Sequence, residues 1–183
     1  MGRKTVVIAV NAVSGGGKTT VTKELTDKLK NARALYFDDY HDDDVSANVP
    51  DVHQWVEDGA DYDLWELKSV ADDINKLLAD ENLDYIVLDY PFGRRQKQIA
   101  GFIDFCVYID TPLDIALARR ILRDYSMQGQ TDSILKELDV YLHNRSAYFY
   151  SQAVNKDADL TVDGSLSTDE ITDKIIEGIK EIK

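Results

Sequence analysis

The chain has little cysteine, few basic residues and no long hydrophobic run. Its single cysteine, Cys106, cannot form a disulfide within the chain, which fits a reducing, intracellular compartment. Lysine and arginine number 21 against 34 aspartate and glutamate, a net charge of −13 that argues against a nucleic-acid-binding surface. The apolar run near the N-terminus is too short for a signal peptide or a membrane span. We therefore expect a cytoplasmic protein that binds neither nucleic acid nor membrane.

The order of apolar runs and helical patterns indicates the fold class. A chain of 183 residues with 44% hydrophobic and 30% charged residues suits a single domain spanning residues 1–183. Strands are predicted at Thr5–Val10, Ala34–Phe37, Tyr85–Asp89, Phe105–Ile109 and Asp159–Val162. Helical patterns lie between them, so the sequence predicts an α/β fold of three layers. Its centre would be a mainly five-stranded parallel sheet flanked by helices.

Apolar stripes at helical spacing place the helices. They are predicted at Thr19–Leu29, across a stripe from Leu67 to Leu78, at Leu113–Arg123, at Ser133–Tyr150 and after the capping-box sequence Ser167–Glu170. The helix Leu113–Arg123 is apolar on several sides, and we expect it to be well buried.

A glycine-rich segment separates the first predicted strand from the first predicted helix. It reads Ala-Val-Ser-Gly-Gly-Gly-Lys-Thr over residues 12–19, a P-loop sequence in the strand–loop–helix context that this motif requires. The strict pattern has glycine where Ala12 stands, which costs little if the φ of Ala12 is negative. Backbone N–H groups, the Lys18 ammonium and the helix N-terminus would bind the phosphates of ATP, and the Thr19 hydroxyl would bind Mg²⁺. The predicted nucleotide-binding residues are Ser14, Gly15, Gly16, Gly17, Lys18, Thr19 and Thr20.

Carboxylates follow two of the predicted strands at the sheet edge where α/β proteins bind ligands. Asp38 and Asp39 come directly after the second strand, where a carboxylate can take a proton from an attacking hydroxyl or bind magnesium through water. Asp89 ends the third strand and is predicted as the second magnesium-binding element, with a turn or cap aspartate as the alternative. The acids at 42–44 are interpreted as a solvated loop.

Arginines could offset the charge that develops when a phosphoryl group is transferred. Arg120 and Arg123 are three residues apart and share a helix face, although a surface ion pair, for instance with Asp124, is the alternative. Arg94 and Arg95 are compatible with either role. The polar segment 124–132 is interpreted as a lid over the phosphates or as a plain helix connection.

From Val7 to about Val162 the chain resembles the P-loop small-molecule kinases of the uridine kinase, phosphoribulokinase and nicotinamide riboside kinase group. The similar segments are Ser14–Thr20, Tyr36–Tyr40, Tyr62–Leu67, Arg119–Asp124 and Ala158–Val162. The resemblance implies one role for each matching residue: Asp38 as the base, Asp63 as a ligand of sugar hydroxyls, Asp89 as the magnesium-associated acid, Arg120 as a substrate contact and Arg123 as a phosphate contact.

The chain also departs from this group. Gln128 and Gln130 stand where the lid of uridine kinases carries arginine, and the short stretch between Asp63 and Asp89 lacks the insertion that reads the pyrimidine ring. The resemblance therefore implies the fold and the reaction type, and it leaves the phosphate acceptor open.

These features predict an ATP- and magnesium-dependent kinase that phosphorylates a hydroxyl of a small molecule, most closely a nucleoside or riboside. The predicted site comprises the catalytic residues Lys18, Asp38, Arg120 and Arg123, the substrate-binding residues Asp38, Asp63 and Arg120, and the metal-binding residues Thr19 and Asp89. Two alternatives stay open: an ATP-binding accessory protein with weak catalysis, and a GTPase-like switch. The switch needs two motifs, which the segments 155–159 and 89–93 each miss by one position.

Overall fold

Five parallel strands form the central sheet. The computed structural model describes residues 5–40, 52–126, 130–143 and 154–182. The strands are β1 (Val6–Asn11), β2 (Ala32–Tyr36), β3 (Tyr85–Asp89), β4 (Phe105–Asp110) and β5 (Leu160–Asp163). Their spatial order is β2-β3-β1-β4-β5, and β1 pairs in parallel with both β3 and β4. The C-terminal ends of all five strands therefore meet at one edge of the sheet.

Helices connect the strands, and the five that were predicted begin or end close to their predicted positions. Two short helices, at Val52–Glu57 and Lys97–Ala100, were not predicted. Within the described residues the helices are α1 (Lys18–Lys28), α2 (Val52–Glu57), α3 (Lys68–Leu78), α4 (Lys97–Ala100), α5 (Leu113–Asp124), α6 (Thr131–His143) and α7 (Thr168–Glu181). Short 3₁₀ turns occupy Phe37–Tyr40, Tyr62–Leu64 and Val154–Asp157. The predicted capping box is present, because the Ser167 hydroxyl accepts from the N–H of Glu170 and the Glu170 carboxylate accepts from the N–H of Ser167. Residues 144–150 of the predicted fourth helix lie outside the described residues.

Successive residues of β1 face opposite helical layers. Val6, Ile8 and Val10 belong to the core that includes residues of α1 and α7, whereas Val7 and Ala9 belong to the core that includes residues of α3. A strand buried on both faces reads as the continuous apolar run that the sequence shows. The predicted three-layer α/β fold with five parallel strands is confirmed.

The prediction that α5 is well buried is wrong. Of its twelve residues only Ala116 is buried, and Leu122 is 72% exposed. The reason is its packing partner, since the backbone of α5 lies against the glycine loop that follows β1. A Cβ on Gly15 would overlap the carbonyl oxygen of Ala116. Apolar residues on several sides of a helix do not show how many of those sides pack against the rest of the protein.

Side chains connect the strands at both ends of the sheet: Asn11 is buried near the site, whereas Arg94 and its partners lie at the N-terminal ends of β4 and β5. The Asn11 amide nitrogen donates to the Val107 carbonyl at 3.0 Å, and its oxygen accepts from the N–H of Gly93 at 2.8 Å. The Arg94 guanidinium is 2.7 Å from the Asp159 carboxylate, which also accepts from the N–H of Cys106. Arg95 pairs with Asp157. Arg94 and Arg95 therefore take the ion-pair role that the sequence left as one of two alternatives.

The ends of β4 and β5 hold the glycine loop in place. The hydroxyl of Thr111, directly after β4, donates to the Gly16 carbonyl at 2.9 Å. Gly164, directly after β5, packs so closely against Thr111 that a Cβ would overlap its hydroxyl and lie 2.7 Å from its Cα. The two strand ends thus form a support on which the loop rests.

We expect Gly164→Ala to lower the free energy of unfolding by about 1–3 kcal/mol, because the added methyl group meets backbone that cannot move without disturbing the loop. Gly101→Ala is the matched control. Gly101 has a right-handed backbone conformation, and among the described residues no atom beyond its own helix and chain neighbours lies within 4 Å of its Cβ position. Urea denaturation of both variants measures the difference. Equal unfolding free energies would contradict the proposed support.

Candidate active site

Three glycines let the loop after β1 adopt a phosphate-binding conformation. Gly15 and Gly17 have φ values of +78° and +97°, in the left-handed region that favours glycine. Gly17 directly precedes α1, so the unpaired N–H groups at the N-terminus of an eleven-residue helix follow the loop. Such a loop is suited to bind the phosphates of a nucleotide.

Ala12 fits this loop without backbone strain. Among the described residues, the only non-glycine positions with positive φ are Asn31 and Ala60, so the φ of Ala12 is negative, as the sequence analysis required. The side chain of Ala12 is buried. A Cβ added to Gly16 would lie 2.7 Å from the Cβ of Ala12. A methyl group at position 12 is therefore accommodated because position 16 has none.

Lys18, Thr19 and Asp89 form the polar centre of the site. The Lys18 ammonium donates to the Ala12 carbonyl at 3.3 Å, and the Thr19 hydroxyl donates to Asp89 Oδ2 at 2.6 Å. Burial lowers the pKa of Lys18, against the opposing effect of the carboxylates of Asp89 and Asp38. Burial also raises the pKa of Asp89, although the Thr19 hydrogen bond and Lys18 act in the opposite direction. A hydroxyl and a carboxylate oxygen this close are the hard oxygen donors that Mg²⁺ prefers.

A cavity of about 700 Å³ lies above this centre, within the size range of small-molecule sites. Its lining residues are Ala12, Ser14, Gly15, Gly17, Lys18, Thr19, Thr20, Phe37, Asp38, Asp89, Pro91, Arg119 and Arg123. The structure therefore brings together most of the predicted site. Gly16, also predicted, lines a smaller adjoining cavity of about 210 Å³ instead.

Asp38 is an exposed residue of the 3₁₀ turn that directly follows β2. The negative charge of its carboxylate raises the pKa of both Lys18 and Arg123, two cations that line the same cavity. Arg123 also forms two hydrogen bonds to the Asp124 carboxylate, at 2.6 and 3.1 Å. The ion pair foreseen as an alternative thus exists, and Arg123 nevertheless lines the cavity.

Arg119 lines both cavities and is not among the predicted site residues. Its guanidinium lies 4.0 Å from the Cβ position of Gly17, so it reaches the start of α1. A usable signal was present: Arg119 and Arg123 are four residues apart and therefore share a helix face.

Two predicted substrate-binding residues lie outside the described lining of the large cavity. The Asp63 carboxylate accepts from the N–H of Lys97 at 2.9 Å and pairs with the Lys97 ammonium. Arg120 Nη2 is 2.7 Å from Glu137 Oε1 on α6. Their roles toward substrate stay predictions. So does the lid at 124–132, because Gln128 lies outside the described residues and Gln130 directly precedes α6.

A cluster of aromatic rings lies on the Asp38 side of the cavity. The cluster comprises Phe37, Trp55, Tyr62, Trp65, Tyr90 and Phe92. The rings contact one another mainly edge to face, with centroids 5.3 Å apart for Phe37 and Phe92 and 5.0 Å for Trp65 and Phe92. Phe37 is the ring that reaches the cavity lining as described.

Comparison with known proteins identifies the family. Residues 68–171, more than half of the chain, match the model of the Phosphoribulokinase / Uridine kinase family. The chain belongs to this family, and the protein is therefore a P-loop kinase, as the resemblance implied.

Individual relatives agree with this assignment. A uridine kinase of Leuconostoc citreum (strain KM20) is 28% identical over 169 residues, which cover 78% of each chain. A uridine kinase of Anoxybacillus flavithermus (strain DSM 21510 / WK1) is 29% identical over 162 residues, 75% of this chain and 76% of that one. The shikimate kinase of Aquifex aeolicus vf5 has the same fold, with a TM-score of 0.54, 16% identity and 96% of each chain covered.

None of the helices in the described part of the chain has the length and apolar character needed to cross a membrane.

We expect Asp89→Asn to stabilise the nucleotide-free protein at neutral pH. The raised pKa of Asp89 means that the folded chain holds this proton more tightly than the unfolded chain, even with Lys18 nearby, so ionisation disfavours folding. The gain should shrink as pH falls through the raised pKa toward the ordinary carboxyl value, because Asp89 then becomes protonated. Urea denaturation between neutral and acidic pH measures it.

Asp110→Asn is the charge-matched control, since Asp110 is an exposed carboxylate at the end of β4. An equal gain in both variants would show that overall charge, and not the burial of Asp89, is responsible.

Proposed function

We propose that the protein transfers the γ-phosphoryl group of ATP, with Mg²⁺, to a hydroxyl of a nucleoside or riboside. The observation that supports this most strongly is the placement of Lys18, Thr19, Asp89 and Asp38 around one cavity of about 700 Å³. A phosphate-binding loop and an acid that is suited to deprotonate a hydroxyl thus face the same space. The nucleoside acceptor class is supported by the names of the uridine kinase relatives.

The two cavities would hold different parts of the nucleotide. The phosphates would lie along Ser14–Thr20, and the base would enter the smaller cavity, whose walls include Arg119, Gly164 and Leu166. A planar guanidinium can stack on a planar base. Thr19 and Asp89 would hold Mg²⁺, which when bound offsets negative charge on the phosphate oxygens.

The acceptor would lie on the aromatic side of the large cavity. Asp38 would accept the proton of the attacking hydroxyl, and Asp63 would bind neighbouring hydroxyls after exchanging its contact with Lys97. Lys18, Arg120 and Arg123 would offset the charge on the transferred group.

A screen with ATP and a panel of nucleosides, other ribosides and pantothenate-like alcohols tests the proposal. ADP formation should depend on one class of acceptor. Hydrolysis that is independent of any acceptor would favour a nucleotide switch, and ATP binding without turnover would favour an accessory protein.

We expect Asp38→Asn to lower kcat by at least about 100-fold, because the general base is lost, while ATP affinity stays nearly unchanged. Asp39→Asn is the matched control, since Asp39 is the next, likewise exposed residue of the same turn and is not part of the described cavity lining. Steady-state kinetics with the acceptor found in the screen measures both variants. Normal turnover of Asp38→Asn would rule out Asp38 as the base.

We expect Lys18→Ala to weaken ATP binding by about 10- to 100-fold, the effect of losing charge-assisted hydrogen bonds to phosphate. The control is Lys23→Ala, which removes an exposed ammonium from the same helix. Isothermal titration with ATP and Mg²⁺ measures the affinities. An unchanged affinity for Lys18→Ala would contradict the assignment of the loop.

A further inference from the structure

Arg120 connects the glycine loop with α6. Its Cβ is 3.3 Å from the Cβ position of Gly15, so the stem of the side chain starts beside the loop. Its Nη2 is 2.7 Å from Glu137 Oε1, so the guanidinium ends on the next helix. Its neighbours Arg119 and Arg123 line the large cavity, whereas Arg120 is absent from the lining as described.

Glu137 is well placed to hold that guanidinium. Its side chain is 15% exposed and that of Arg120 is 28% exposed, so solvent screens this pair less than a pair on the open surface. The second carboxylate oxygen, Oε2, accepts from the hydroxyl of Tyr125 at 3.3 Å. Tyr125 directly follows the last residue of α5, so one carboxylate links the C-terminal end of α5 to α6.

We propose that Glu137 is a positioning residue that competes with the γ-phosphoryl group of ATP for Arg120. The inference rests on the proposed function, in which Arg120 acts on the transferred group. The Nη2 group of Arg120 is directed at Glu137, while Nε lies 3.7 Å from Asp124 Oδ2. The N–H groups that Glu137 binds are withdrawn from a phosphoryl group for as long as this pair is formed.

The competition has a consequence for nucleotide binding. A γ-phosphoryl group must draw Arg120 away from Glu137, which leaves a half-buried carboxylate with the Tyr125 contact and removes one link between α5 and α6. ADP has no γ-phosphoryl group and leaves the pair in place. Glu137 therefore weakens the binding of ATP relative to ADP, and ATP binding loosens the connection between the two helices.

The test compares Glu137→Gln with Asp139→Asn. Asp139 is two residues further along α6, its side chain is 73% exposed and it pairs with His143, so both variants remove one negative charge from the same helix. Titration calorimetry with Mg²⁺ measures the Kd of ADP and of a non-hydrolysable imido analogue of ATP. Glu137→Gln should tighten the analogue by about two- to fivefold and leave ADP unchanged, the effect of releasing one ion pair. Asp139→Asn should change neither Kd.

A double-mutant cycle separates competition from a static scaffold role. In an Arg120→Gln background the effect of Glu137→Gln on the analogue should disappear, because the two side chains act through each other. The inference is overturned if Glu137→Gln still tightens the analogue in the Arg120→Gln background. It is also overturned if Glu137→Gln tightens both nucleotides equally, or if it lowers stability and leaves the ratio of the two Kd values unchanged. If Glu137→Gln does not fold, Glu137→Asp replaces it, since a shorter side chain weakens the pair and should shift the preference in the same direction.

Failure of the proposed function gives a different result. If the wild-type chain binds neither nucleotide, the proposed function and this inference are both overturned. If the wild type binds both and Glu137→Gln leaves the preference unchanged, this inference alone is overturned.

Discussion

The buried ammonium of Lys18 is the charge on which the arrangement of the site depends. Burial disfavours a charged lysine, and the carboxylates of Asp89 and Asp38 counteract this effect. Asp89 is itself buried and accepts the Thr19 hydroxyl at 2.6 Å, so the first turn of α1 is fixed to the end of β3. In a chain with a net charge of −13, an anionic ligand needs such a local concentration of positive charge and backbone N–H groups.

The rest of the fold keeps this centre in position. The loop is supported from below by Thr111 and Gly164 at the ends of β4 and β5, and it is contacted from the side by α5 at Ala116. Glycine is needed at position 15 for two independent reasons, because its φ is positive and because a Cβ would overlap α5. The phosphate-binding shape of the loop therefore depends on side chains and backbone from three other segments of the chain.

Much of this could be predicted from the sequence, for a physical reason. Strands buried on both faces are continuous apolar runs, and the C-terminal ends of parallel strands share one edge, so Asp38 and Asp89 were expected near the loop. The extent of burial of α5 and the presence of Arg119 in the cavity were not predicted. Both depend on how α5 is rotated against the loop, and residue spacing within one helix does not contain that information. The contact between Arg120 and Glu137 joins two helices and was hidden for the same reason.

The position of α5 also determines where the positive charge of its arginines lies relative to the glycine loop. The lid positions that resemble arginine sites in uridine kinases are glutamine here, at 128 and 130. Arg119, Arg120 and Arg123, by contrast, all project from α5. The close approach of the helix to Gly15 brings the three together, and the carboxylates of Asp124 and Glu137 hold two of their guanidinium groups. Because the three arginines share one backbone, a change in the packing of α5 on the loop would move all of them relative to Lys18 and the glycine loop at once.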